Sequence, residues 1–114
     1  MRRRSPVAAM AALLALPAAA APAAAEDAAL AALLAVPGDA AFGAYLAGEC
    51  TSCHQPGAAN DGVPPIAGRP PEDFARALHD YRTGARAHAI MNMLAARLGD
   101  EEIAALAAHF ATLR

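Results

Sequence analysis

Two cysteines and a histidine stand together in this chain of 114 residues, as Cys50-Thr51-Ser52-Cys53-His54. The chain has no other cysteine. Cys-x-x-Cys-His is the spacing of covalent c-type haem attachment. Two thiols separated by two residues can reach two vinyl groups on one porphyrin edge as thioethers. The adjacent histidine is then carried under the ring, where its imidazole can bind iron. Other chemistries also use such a pair. A thioredoxin-like redox pair belongs in a βαβ pattern, and no β-rich run surrounds this one. A zinc site needs four ligands, so scattered histidines would have to complete it. A structural disulfide is the plainest alternative. The motif favours haem.

The elements around the motif read as helices joined by loops. Asp39 suits an N-cap for a helix running to about residue 49, with Phe42, Tyr45, Leu46 and Glu49 on one face. Gly43 is small enough there for another helix to approach closely. After His54, residues 55–62 are dense in turn formers. Val63-Pro64-Pro65-Ile66-Ala67-Gly68-Arg69 is a stiff extended segment. Pro64 offers a carbonyl there, and an iron-bound histidine almost always donates its other ring N–H to such an acceptor. Pro71 can open a helix over 71–82, in which Phe74, Leu78 and Tyr81 recur at helical spacing. Thr83-Gly84 ends it. Residues 85–90 lead as a loop into Met91-Asn92-Met93-Leu94, and Gly99-Asp100-Glu101-Glu102 opens a last helix bearing Ile103, Leu106, Ala107 and Phe110. The expected class is all-α.

The start of the chain has a different character. Arg2, Arg3 and Arg4 precede an apolar run over 7–16, and small residues follow as far as Ala25. A basic cluster, a short apolar run and an Ala-x-Ala site describe a signal peptide over 1–25. The apolar run is shorter than the roughly 20 residues a membrane span needs. Cleavage would leave 89 of the 114 residues, one small domain. With three of nine arginines gone, six remain against eleven acids, a formal balance of −5. Nucleic acid, which calls for a basic stripe, is therefore not an expected partner. The chain has no lysine, and roughly a third of it is alanine, which favours helix but gives little apolar bulk. A buried porphyrin would supply the missing volume. Residues 26–38 form an extension with Leu30, Leu33 and Leu34 at helical spacing and a stop at Pro37-Gly38.

At this level of detail residues 39–114 resemble class I cytochromes c. The likeness extends to the small bacterial c553/c4-like domains and to the haem-bearing subunit of flavocytochrome c sulfide dehydrogenase. The residues carrying it are Tyr45-Leu46-Ala47, the Cys50–His54 motif, Val63-Pro64-Pro65-Ile66-Ala67-Gly68, Leu78 to Arg86, Ile90-Met91, and Leu98 to Phe110. The resemblance implies three main helices plus short ones around one covalently attached haem c, with the first and last helices crossing. It implies His54 and Met91 as axial iron ligands, and the Pro64 carbonyl as acceptor for the His54 N–H. Its methionine stands seven residues before Leu98, which points to Met91. Met91 also shares a helical face with Leu94 and Leu98, whereas Met93 shares one with Arg97. Gly99 stands where related sequences often have a Ser or Thr cap, and His109 where an aromatic is frequent.

The remaining histidines, His79 and His109, read as packing or surface residues. His88, three residues before Met91, is an alternative ligand that would lower the reduction potential. The expected function is electron transfer by a periplasmic His/Met-ligated c-type cytochrome, with no catalytic residues of its own and no membrane insertion after cleavage. Its partners are redox proteins, a flavoprotein subunit among them, and a free shuttle is the alternative. A haem enzyme or gas binder with an open distal site is the competing class.

Overall fold

The computed structural model describes residues 12, 14–18, 21–55 and 62–114. Most of the expected signal peptide lies outside these, as do residues 56–61 of the turn-rich loop. The described residues form six helices and no strand: α1 (Pro22–Leu34), α2 (Ala40–Leu46), α3 (Gly48–Thr51), α4 (Pro71–Thr83), α5 (Ala89–Ala96) and α6 (Asp100–Ala111). The all-α expectation holds. None of these helices is long and apolar enough to cross a membrane.

The crossing of α2 and α6 is the frame on which everything else hangs. Asp39 caps α2, its carboxylate accepting from the N–H groups of Ala41 (2.9 Å) and Phe42 (3.1 Å). Four residues on, Gly43 lies against the backbone of α6, and a Cβ there would overlap the Ala105 carbonyl. No other residue fits at that contact. The packed core gathers Leu33, Phe74, Leu78, Ala95, Ile103, Leu106 and Phe110 into one cluster. Phe74 of α4 stacks on Phe110 of α6 with centroids 5.4 Å apart, which joins α4 to the frame through two rings. The expected single helix over 39–49 is interrupted at Ala47, which separates α2 from α3 while its carbonyl still accepts from Cys50 and Thr51 (both 3.0 Å).

The extension is part of the fold. Leu33 of α1 is 1 % exposed within the core cluster. Gly38 follows so closely against α6 that a Cβ would sit 2.5 Å from the Ala104 oxygen. α1 starts at Pro22, four residues ahead of Glu26, and proline at its first position is tolerated because that N–H has no intrahelical partner. The cap-poor start of α6 is strengthened from outside. Gly99 provides no side-chain cap, but Arg82 of α4 donates to the Leu98 carbonyl (3.2 Å) and pairs with Asp100 at 2.8 Å.

Candidate functional site

The turn after α2 wraps tightly because its small polar side chains satisfy nearby carbonyls. Thr51 donates to the Ala47 and Gly48 oxygens (both 3.3 Å), and Ser52 to Glu49 (2.8 Å). The Cys50 carbonyl accepts from Cys53 (3.2 Å) and His54 (2.8 Å), so both cysteines and the histidine sit on a single turn. Cys50 is half-buried against the core, and Cys53 is exposed. Burial pushes the Cys50 thiol above its usual pKa, and the neighbouring Glu49 charge adds to the effect.

His54 is fixed by one contact. Its Nδ1 lies 2.7 Å from the Pro64 carbonyl. A carbonyl only accepts, so the proton is on Nδ1 and the lone pair on Nε2 faces the other way, ready for a metal. The loop bearing Pro64 is itself anchored. Ile66 packs on the core, and the Gly68 N–H donates to the Phe110 carbonyl at 2.9 Å. Gly68 has φ 71°, a left-handed conformation that glycine adopts without strain. The last turn of α6 thus holds the acceptor that orients His54.

Met91 and Met93 lie on opposite faces of α5. Met91 is half-buried and packs against the core with Leu98, whereas Met93 is 59 % exposed. His88 is the N-cap of α5, its Nδ1 accepting from the Met91 N–H at 3.3 Å. His79 is buried, and its Nδ1 has no hydrogen-bond partner. His109 packs edge-on to Phe110 with centroids 5.1 Å apart.

Asn92 also belongs to the site, although no sequence motif marks it. Its carboxamide oxygen accepts from the His88 N–H (2.7 Å), and its NH₂ donates to the carbonyls of Tyr81 (2.7 Å) and Arg86 (2.8 Å). One side chain thereby ties the end of α4, the 84–88 loop and the start of α5 together, and so sets where Met91 stands. The available signal was an asparagine inside a helix, where its propensity is poor and a specific bond must compensate.

These residues fit a covalently attached haem. Two thiols lie on one turn, an imidazole presents Nε2, and a thioether lies on the inner face of α5. Among the described residues no group of three or more His, Cys, Asp or Glu is gathered to hold a metal ion, which counts against the zinc alternative. The family model described as Cytochrome c matches residues 38–114. No curated protein matches the chain.

Proposed function

Because the chain belongs to the cytochrome c family, we propose that it works as a periplasmic electron carrier with a His/Met-ligated haem. The family assignment makes it a class I, c-type electron carrier with covalently attached haem c and redox-protein partners. When bound, the haem supplies a one-electron iron couple. Cys50 and Cys53 would hold it as thioethers, and His54 Nε2 and the Met91 sulfur would ligate its iron. The observation that carries this reading is the 2.7 Å bond from His54 Nδ1 to Pro64, which orients the ring and raises its basicity. Met91 ligation raises the reduction potential. Its half-buried setting on α5 helps to keep water from the sulfur.

Export rests on the basic and apolar pattern of residues 1–25, with Glu26 as the proposed mature N-terminus. The 26–38 extension then remains with the 39–114 domain. The likeness to the haem subunit of flavocytochrome c sulfide dehydrogenase extends the proposal to a docked, non-catalytic subunit that accepts electrons from a flavoprotein. With both cysteines in thioethers, the chain has no thiol left for sulfur chemistry.

The ferric near-infrared spectrum tests the axial pair. A weak sulfur-to-iron charge-transfer band is expected. Met91→Ala should abolish it, lower the reduction potential and let carbon monoxide bind the ferrous protein, while Met93→Ala should leave all three nearly unchanged. A high-spin ferric spectrum in the unaltered protein would assign an open distal site instead.

A further inference from the structure

α1 is held to the domain at one end only. All eight residues from Pro22 to Ala29 are exposed, and Leu30 is the first whose side chain is half-buried. Leu33 is then 1 % exposed in the core cluster, with Leu34 packed against it. Leu34 shares a cleft with Pro71 and Ala75 of α4 and Ala107 of α6. The Ala23-Ala24-Ala25 run therefore lies in the free half of the helix, four residues short of Leu30.

We propose that the Ala25–Glu26 bond is cut on the folded protein, by a membrane-bound peptidase that takes small side chains before the cut. The proposal rests on the signal-peptide reading above. Water cleaves the amide, leaving a carboxylate on Ala25 and an α-amino group on Glu26. Such an enzyme binds its substrate as an extended strand, so the first turn of α1 has to unwind to enter it. In alanine-rich helix each residue gains at most about 1.6-fold in equilibrium constant, so opening the five residues from Pro22 to Glu26 slows cutting by about tenfold at most. No packed side chain has to leave the domain.

The cut also spares what remains. Leu30, Leu33 and Leu34 keep their places, and the helix gains a better start. At Pro22 it has no acid in its first turn and no side-chain cap. Beginning at Glu26, it carries Glu26 and Asp27 there, where carboxylates suit the positive end and offset the new α-amino charge.

The probe is the full-length, haem-loaded precursor, accumulated in cells whose signal peptidase is inhibited. Mixed in detergent with active peptidase, it should lose residues 1–25 by mass, at a rate within about tenfold of that for a peptide of residues 1–32. The haem absorption and the denaturant midpoint should be the same before and after the cut. Ala29→Pro breaks α1 between the cut and Leu30, and it should speed cutting by no more than about tenfold. A folded precursor that resists while the peptide is cut would overturn the proposal, and so would a larger gain from Ala29→Pro. A midpoint that falls on cutting would overturn it as well, by showing that the first turns are held. Failure to cut the peptide itself would overturn the signal-peptide reading, an outcome distinct from failure of the proposal alone.

Discussion

The crossing of α2 on α6 and the wrap of chain around Cys50, Pro64 and Met91 are held in opposite ways. At the crossing, backbone meets backbone. Gly43 and Gly38 leave no room for a side chain, and the neighbouring cluster is apolar throughout. In the wrap, where Cys50, Ile66 and Met91 also pack on the core, single polar contacts set direction: Asn92 to Tyr81, Arg86 and His88, Gly68 to Phe110, and His54 to Pro64. The frame therefore tolerates no added volume, and the site tolerates no lost hydrogen bond. Close packing fixes where the helices are. The hydrogen bonds fix where the reactive side chains point.

The most severe way to break this contrast is at Gly43. Gly43→Leu must force α2 and α6 apart, at an expected cost of about 3 kcal/mol or more. Denaturant unfolding of the holoprotein would read this as a lowered midpoint. A parent-like midpoint would mean the crossing is not close-packed. Asn92→Ala should act on the other region at smaller cost, about 2 kcal/mol for the groups left unpaired. Its telling readout is spectroscopic: the sulfur-to-iron band should be lost at a lower temperature than global unfolding. Coincident loss of both would show that Asn92 serves the frame alone. The smallest effect has the opposite sign. His79 is buried in the frame with Nδ1 unsatisfied, so His79→Leu should stabilise the protein by about 1 kcal/mol. A loss of stability there would reveal a partner for the imidazole and a polar contribution to the frame.

The frame was the more legible region because it follows from periodicity. Phe74, Leu78, Ile103, Leu106 and Phe110 recur at helical spacing, and all are buried. Asp39 was readable as a cap because a carboxylate before an apolar helix has few other local uses. The motif residues were legible by chemical type, and Gly43 by its size. The fixings of the site were harder to read. Asn92 bonds to residues as many as eleven positions away, and no local pattern encodes such a reach. The Arg82–Asp100 pair spans α4 and α6 in the same manner, so its support of an uncapped helix start could not be inferred from Gly99 alone. His88 stands three residues before Met91, a distance that suggests a ligand in the sequence and is equally the geometry of an N-cap.

The bond between His54 and Pro64 also bears on speed. Transfer of an electron is slowed by whatever must rearrange when the charge at the centre changes. The imidazole is held at 2.7 Å by a carbonyl whose loop is bonded to the last turn of α6 through Gly68. The proposed iron ligand is thus braced against the least yielding part of the molecule, two contacts away. With haem bound, a ring so braced would turn little when the iron gains or loses charge. That would lower the reorganisation energy, and the same small bond that selects a tautomer would then hold both oxidation states near one geometry.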